Sequence, residues 1–196
     1  MARMRPCRLF HLLVPVAMFL ISVLARQVAA ENQAKPAPTS SGAAESAGAP
    51  RRPSTAAERM AAATAARELE SDQLGPGAEA KRKTAMLVLE APDIQIKICA
   101  NMLASFANEK SAHHTELLHQ LLFSTMAFMI ERPEQAADAG AGYLAGVLGA
   151  LKAYRKIRTA GPGSRSPFFD KLIELQKRGA VEAYVRKETA ACLPGR

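Results

Sequence analysis

The chain has 196 residues, with 26 Lys+Arg, 18 Asp+Glu and 4 His, for a formal net charge of +8. That length allows one ordinary domain. No aromatic stacking platform accompanies the basic residues, so nucleic acid is not the expected partner of that charge.

The first segment has a basic start (Arg3, Arg5, Arg8), an apolar run from Leu9 to Ala25 broken only by His11 and Ser22, and the small-residue ending Val28-Ala29-Ala30. Basic region, apolar region and cleavage site in that order predict an export signal over residues 1–30. A permanent anchor needs about 20 apolar residues to span hydrocarbon; this run is shorter and contains Pro15. Cleavage is expected after Ala30, with Val23-Leu24-Ala25 as a second candidate site. Cys7 precedes the apolar run, so no lipid anchor is expected.

Cleavage removes four arginines, leaving 22 Lys+Arg against 18 Asp+Glu over residues 31–196. The remainder is polarised. Residues 84–140 carry 3 basic and 7 acidic side chains, and residues 141–196 carry 11 basic and 4 acidic. Such a basic half attracts anionic partners by raising encounter rates, unless it is a solvated face or pairs with the acidic half.

Residues 31–54 are Ala, Pro, Ser, Thr and Gly with few aliphatics, a composition that buries too little apolar surface to offset its ordering entropy. A disordered spacer is expected there. Thr55 and Glu58 then make a capping-box pattern ahead of an Ala-rich run, predicting a helix over 56–70. Only Met60 and Leu69 are large and apolar, so this helix is expected to pack weakly or only against a partner; Gly75-Pro76-Gly77 ends the segment.

Six further helices are expected. The first spans 79–90, apolar at Met86 to Leu89. The second opens at Pro92-Asp93 and runs to Asn108, with Ile94, Ile98, Met102 and Phe106 at helical spacing. Ser111 caps a third that reaches Glu131, and Arg132-Pro133 stops it. The fourth covers 133–159, with Gly142, Gly146, Gly149 and Ala153 near one face. Glycine weakens a helix by roughly 1 kcal/mol each against alanine, so this stripe points to an unusually close helix neighbour. After Gly161-Pro162-Gly163-Ser164, Ser166-Pro167 supplies the cap and first residue of a helix over 168–178 that Gly179 terminates. The last spans 181–191 and returns Cys192 to the domain.

Cys99 and Cys192 survive cleavage, and an oxidising compartment favours one bridge between them. An intermolecular bridge and a reactive Cys99 are the alternatives.

The eye-catching polar cluster is His113-His114-Thr115-Glu116-Leu117-Leu118-His119. His113, Glu116 and His119 are three apart and can share a helix edge, as zinc or copper would require. The order matches neither zinc-peptidase helix, and Glu116-x-x-His119 is only one half of a di-iron signature. Met102, Met126 and Met129 form a softer candidate set for Cu(I), with core filling as the bland alternative. Glu131 and Glu134 flank a helix break and read as surface carboxylates rather than a glycosidase pair. Haem-attachment, redox Cys-x-x-Cys, phosphate-loop and Gly-x-Ser-x-Gly motifs are absent. Gly142-Tyr143-Leu144-Ala145-Gly146-Val147, followed by Ala150-Leu151, resembles the Gly-Tyr-x-x-Gly-Val helix of small exported helical immunity proteins. The likeness covers about ten residues and lacks the downstream spacing of that family, so it assigns no family.

The expected architecture is all-α: a signal peptide (1–30), a disordered spacer (31–54), an Ala-rich helix with its Gly-Pro-Gly linker (55–77), and a bundle of five or six helices over 78–196. The expected role is non-catalytic, in the periplasm or secreted, by binding another envelope protein and without a cofactor. Weak association with anionic envelope polymer or lipid is assigned to Lys152, Arg155, Lys156 and Arg158. The alternative is a metal-binding protein or metal-dependent enzyme using His113, Glu116 and His119.

Overall fold

The computed structural model describes residues 51–108 and 110–193. The expected export signal and residues 31–50 of the expected spacer lie outside the described residues. Among those described, seven α-helices and one short 3-10 turn account for the regular structure, and the fold is all-α.

Helix α1 (Ala56–Leu69) begins as the capping-box pattern predicts: Thr55 Oγ1 accepts from the Glu58 amide at 3.2 Å, and Glu58 Oε2 accepts from the Thr55 amide at 2.8 Å. Hydrogen bonds from the Arg52 guanidinium, then from the Thr55 amide and hydroxyl, hold the Glu58 carboxyl down at about 2, against an ordinary 4.5. A depressed folded-state value means that the capping contribution is complete above about pH 4.5 and is lost as pH falls through about 2. Amide exchange in the first turn of α1 is therefore expected to accelerate between pH 4.5 and 2, before the helix centre does. Uniform behaviour along α1 would contradict this coupling.

The expectation that α1 packs weakly is not met. Ala62, Ala63, Ala66 and Leu69 are buried in a core cluster with Ala85, Val88, Phe123, Met126 and Ala127. Alanine brings little area per residue, but it lets helix backbones approach, so the packing surface here is the helix itself rather than large side chains. After the linker, Gly77 takes φ +83°, a left-handed conformation open to glycine, and α2 (Ala78–Leu89) turns back along α1.

The second expected helix is shorter than its periodicity suggests. Residues 92–98 are irregular, and α3 covers only Ala100–Ala107. Asp93 does not open a helix there. Instead its carboxylate accepts from the Ser54 amide (2.8 Å), the Ser54 hydroxyl (2.7 Å) and Arg59 (3.0 Å), which ties the chain just before α1 to this segment. Ser54, and Arg51 through its ion pair with Glu90, are thereby engaged, although the spacer composition predicts disorder to residue 54. Ile94 and Ile96 pack on the α1–α2 core while Gln95 and Lys97 face water, a period of two proper to extended chain.

Helix α4 (His114–Glu131) is the central element, with Leu117 and Leu121 in one core cluster and Phe123, Met126 and Ala127 in the other. A helix apolar on most of its circumference must be covered on most sides. The fourth expected helix is divided: Pro133–Gln135 forms the 3-10 turn, and α5 (Ala139–Ile157) starts where Asp138 Oδ1 accepts from the Ala141 amide at 3.0 Å. Helix α5 lies on α4 through the glycine stripe, as its spacing predicts. A Cβ at Gly146 would stand 2.7 Å from the Leu121 carbonyl oxygen, and one at Gly149 would stand 2.5 Å from Ser124 Cβ.

Helix α6 (Pro167–Lys177) starts at the predicted cap, with Ser166 Oγ accepting from the Phe169 amide at 3.1 Å. Tyr154 of α5 locks this start from within. It stacks on Phe169 at 5.0 Å, its hydroxyl donates to Asp170 at 2.9 Å, and it accepts from the Ser166 amide at 2.9 Å. Helix α7 (Val181–Thr189) closes the described chain, burying Val181, Val185 and Thr189.

Candidate functional site

The histidine cluster lies at the start of α4, where His113 is the N-cap residue and His114, Glu116 and His119 are helical. Ser111 Oγ accepts from the His113 amide at 3.3 Å, which leaves His113 outside α4 with φ −117° and ψ 27°. His119 lies against Phe123, ring centroids 5.9 Å apart, and His114 Nδ1 sits 3.2 Å from the Ser111 carbonyl. Among the described residues no three His, Cys, Asp or Glu side chains converge to hold a metal. The methionines do not converge either: Met102 and Met126 are buried in different core clusters.

Cys99 and Cys192 are brought together at disulfide distance, with Cα atoms 5.7 Å apart. Cys99 is fully buried at the start of α3, and Cys192 follows α7, so the pair fastens the irregular 92–98 segment to the C-terminal helix.

The four basic residues of α5 do not form one face. At 100° per residue, Arg158 lies about 120° around the helix from Lys152, while Arg155 and Lys156 flank Lys152. Arg158 sits over the Tyr154 ring and 3.7 Å from Asp170. Arg155 donates to Gln176, and Lys152 Nζ lies 3.2 Å from Glu70 Oε2. Lys156 is exposed.

That Glu70 is the residue the sequence reading misses. Its side chain is only 6% exposed, yet it lies among partners: Arg67 at 2.6 Å, Ser124 Oγ at 2.9 Å, and Lys152. Ser124 in turn accepts from Gln120 Nε2 at 2.8 Å, which also donates to the Ala66 carbonyl at 3.0 Å, and Gln73 donates to Gln120 Oε1. A buried carboxylate is tolerated when it is paired and fully hydrogen-bonded. Gln120 and Ser124 carry the signal for it: they are polar, one helical turn apart, and set among the apolar residues Leu117, Leu118, Leu121, Leu122 and Phe123 of α4. By contrast, the Tyr143 hydroxyl is buried without a hydrogen-bond partner among the described residues, and burial pushes it up to about 12.

Two open clefts flank this network. The larger, about 800 Å³, runs along α1 beside α2 and the end of α4; Met60, Ala63 and Ile130 give it an apolar strip, with Lys81 and Glu131 among its charged borders. Met60 is 70% exposed, high for a large apolar side chain. Arg67 stands between the two clefts, making a two-point contact with Glu131 (3.0 and 2.7 Å) on one side and meeting Glu70 on the other. Hydrogen bonds from Arg67 to Glu131, then to Glu70, hold its guanidinium charge above the ordinary range. The smaller cleft, about 340 Å³, lies between α1, α5 and α6.

No helix among the described residues is long and apolar enough to cross a membrane. No known protein family, curated protein or solved structure matches the chain.

Proposed function

We propose that the chain is a non-catalytic helical protein, exported and cleaved after Ala30, that acts in the cell envelope by binding another protein along α1. The observation that carries this reading is the larger cleft, where an exposed Met60 adjoins Ala63 and Ile130 inside a charged border. Interfaces tend to hold an apolar centre, methionine included, inside a polar rim. The basic start, apolar run and small-residue ending of residues 1–30 support the address.

Two measurements test the two halves of the proposal. Sequencing the N-terminus of the protein recovered from the envelope fraction should begin at Glu31; an intact Met1 in the cytoplasm would remove the address. For the binding half, a photocrosslinking residue at Thr64, exposed on the wall of the cleft, should give one discrete adduct in intact cells. Met60→Asp should reduce that adduct at least about tenfold, the loss expected when a methionine side chain no longer becomes buried. Because Met60 is exposed, the fold should be unaffected. An adduct indifferent to Met60→Asp would count against docking at this cleft.

A further inference from the structure

Arg67, Lys152 and Arg155 converge on the smaller cleft, whose lining also includes Glu70, Gly149 and Leu148. Arg67 is also paired with Glu131 on its far side, so three cations face two carboxylates and the recess keeps a net positive charge carried by Lys152 and Arg155. Glu70 meets Arg67 at 2.6 Å and Lys152 at 3.2 Å, so its charge is balanced from two sides and it fixes the positions of both cations. An ammonium has three donors and a guanidinium five. Lys152 directs one to Glu70 and Arg155 directs one to Gln176, whose accepting Oε1 leaves its own amide group as a neutral donor beside them.

We propose that this recess binds the side-chain carboxylate of an acidic protein segment. Lys152, Arg155 and the Gln176 amide would supply the donors, and Leu148 the contact for the short methylene stem. Cations held by existing bonds lose little freedom on binding, which favours recognition of one small anionic group. A membrane or a polyanionic chain calls instead for a broad basic face, and α5 lacks one because Arg158 is engaged with Asp170 and Tyr154. The source of the carboxylate rests on the docking reading above; the recess chemistry does not.

The test is an NMR titration of the intact chain with the α-methylamide of N-acetylglutamate. Shifts are expected at the Leu148 and Gly149 backbone amides and the Gln176 side-chain amide, and the corresponding glutamine derivative should leave them unmoved. Arg155→Gln should weaken binding about fivefold, the upper range for a solvent-exposed charge pair, whereas Lys156→Gln should not. Unchanged binding in Arg155→Gln overturns the proposal. So does an equal or stronger response of the same resonances to inorganic phosphate or to phosphatidylglycerol vesicles. Met60→Asp should leave the titration intact, so an adduct indifferent to Met60→Asp beside a normal titration counts against the cleft alone, and a Met60-dependent adduct without the titration shifts counts against the recess alone.

Discussion

Opening the Cys99–Cys192 bridge is expected to lower stability by about 4 to 5 kcal/mol, the chain-entropy value for a loop of this length. The two cysteines are 93 residues apart, so the bond closes nearly the whole of the chain from α3 to the end of α7 and excludes the most extended unfolded conformations. Domains of this size have total stabilities of roughly 5 to 15 kcal/mol, so the loss is a large fraction of what holds the fold. Cys99→Ala with Cys192→Ser, compared with the parent in urea under non-reducing conditions, gives the measurement. A thiol reductant should lower the parent to the level of the double variant. The first regions to gain amide exchange should be residues 92–98 and α7, which the bond fastens to each other. A difference below about 1 kcal/mol would show that the linkage restrains little.

The all-α class, the α6 cap at Ser166, the capping box at Thr55 and the close α4–α5 approach were legible because each rests on local chemistry or on spacing. Ser166-Pro167 declares a helix start without tertiary information, and three glycines near one face imply a near neighbour whatever that neighbour is. Features that depend on distant partners were not legible. Asp93 reads as a helix start until Ser54 and Arg59 arrive from 39 and 34 residues away and claim its carboxylate. Glu70 reads as one more surface acid beside Arg67 and Glu68 until α4 supplies Ser124 and α5 supplies Lys152. The start of the third expected helix shifts by two residues: His113, not Ser111, is the N-cap residue of α4. The Ile94-Gln95-Ile96-Lys97-Ile98 alternation was available as a signal for extended chain, but the four-residue spacing of Ile94 and Ile98 competed with it.

The α4–α5 approach also joins the fold to both clefts, because the glycines that allow it place Ser124 against Glu70 and so set Arg67 and Lys152. Gly146→Ala is expected to destabilise the protein by about 2 to 3 kcal/mol, the range for overpacking a close-packed contact. The added Cβ would stand 2.7 Å from the Leu121 carbonyl oxygen, which is backbone, and would also crowd Thr125 Oγ1, which donates to that same carbonyl at 2.9 Å. A side chain can rotate away, but the carbonyl can move only if α4 moves. Gly142 supplies the control on the same helix. A Cβ there meets Thr125 Cγ2 at 3.6 Å and Phe128 Cδ1 at 3.7 Å, which is ordinary contact. Gly142→Ala should therefore keep most of the alanine helix preference and gain up to about 1 kcal/mol. Urea midpoints with unchanged slopes would separate the two variants in opposite directions. If both variants were stabilised, helix propensity would account for the difference from glycine and the close approach would not. Because Gly149 continues the same seam, opening it at Gly146 should also loosen the Glu70 network. The NMR signals of the Arg67 and Lys152 side chains are expected to broaden in Gly146→Ala and to stay sharp in Gly142→Ala.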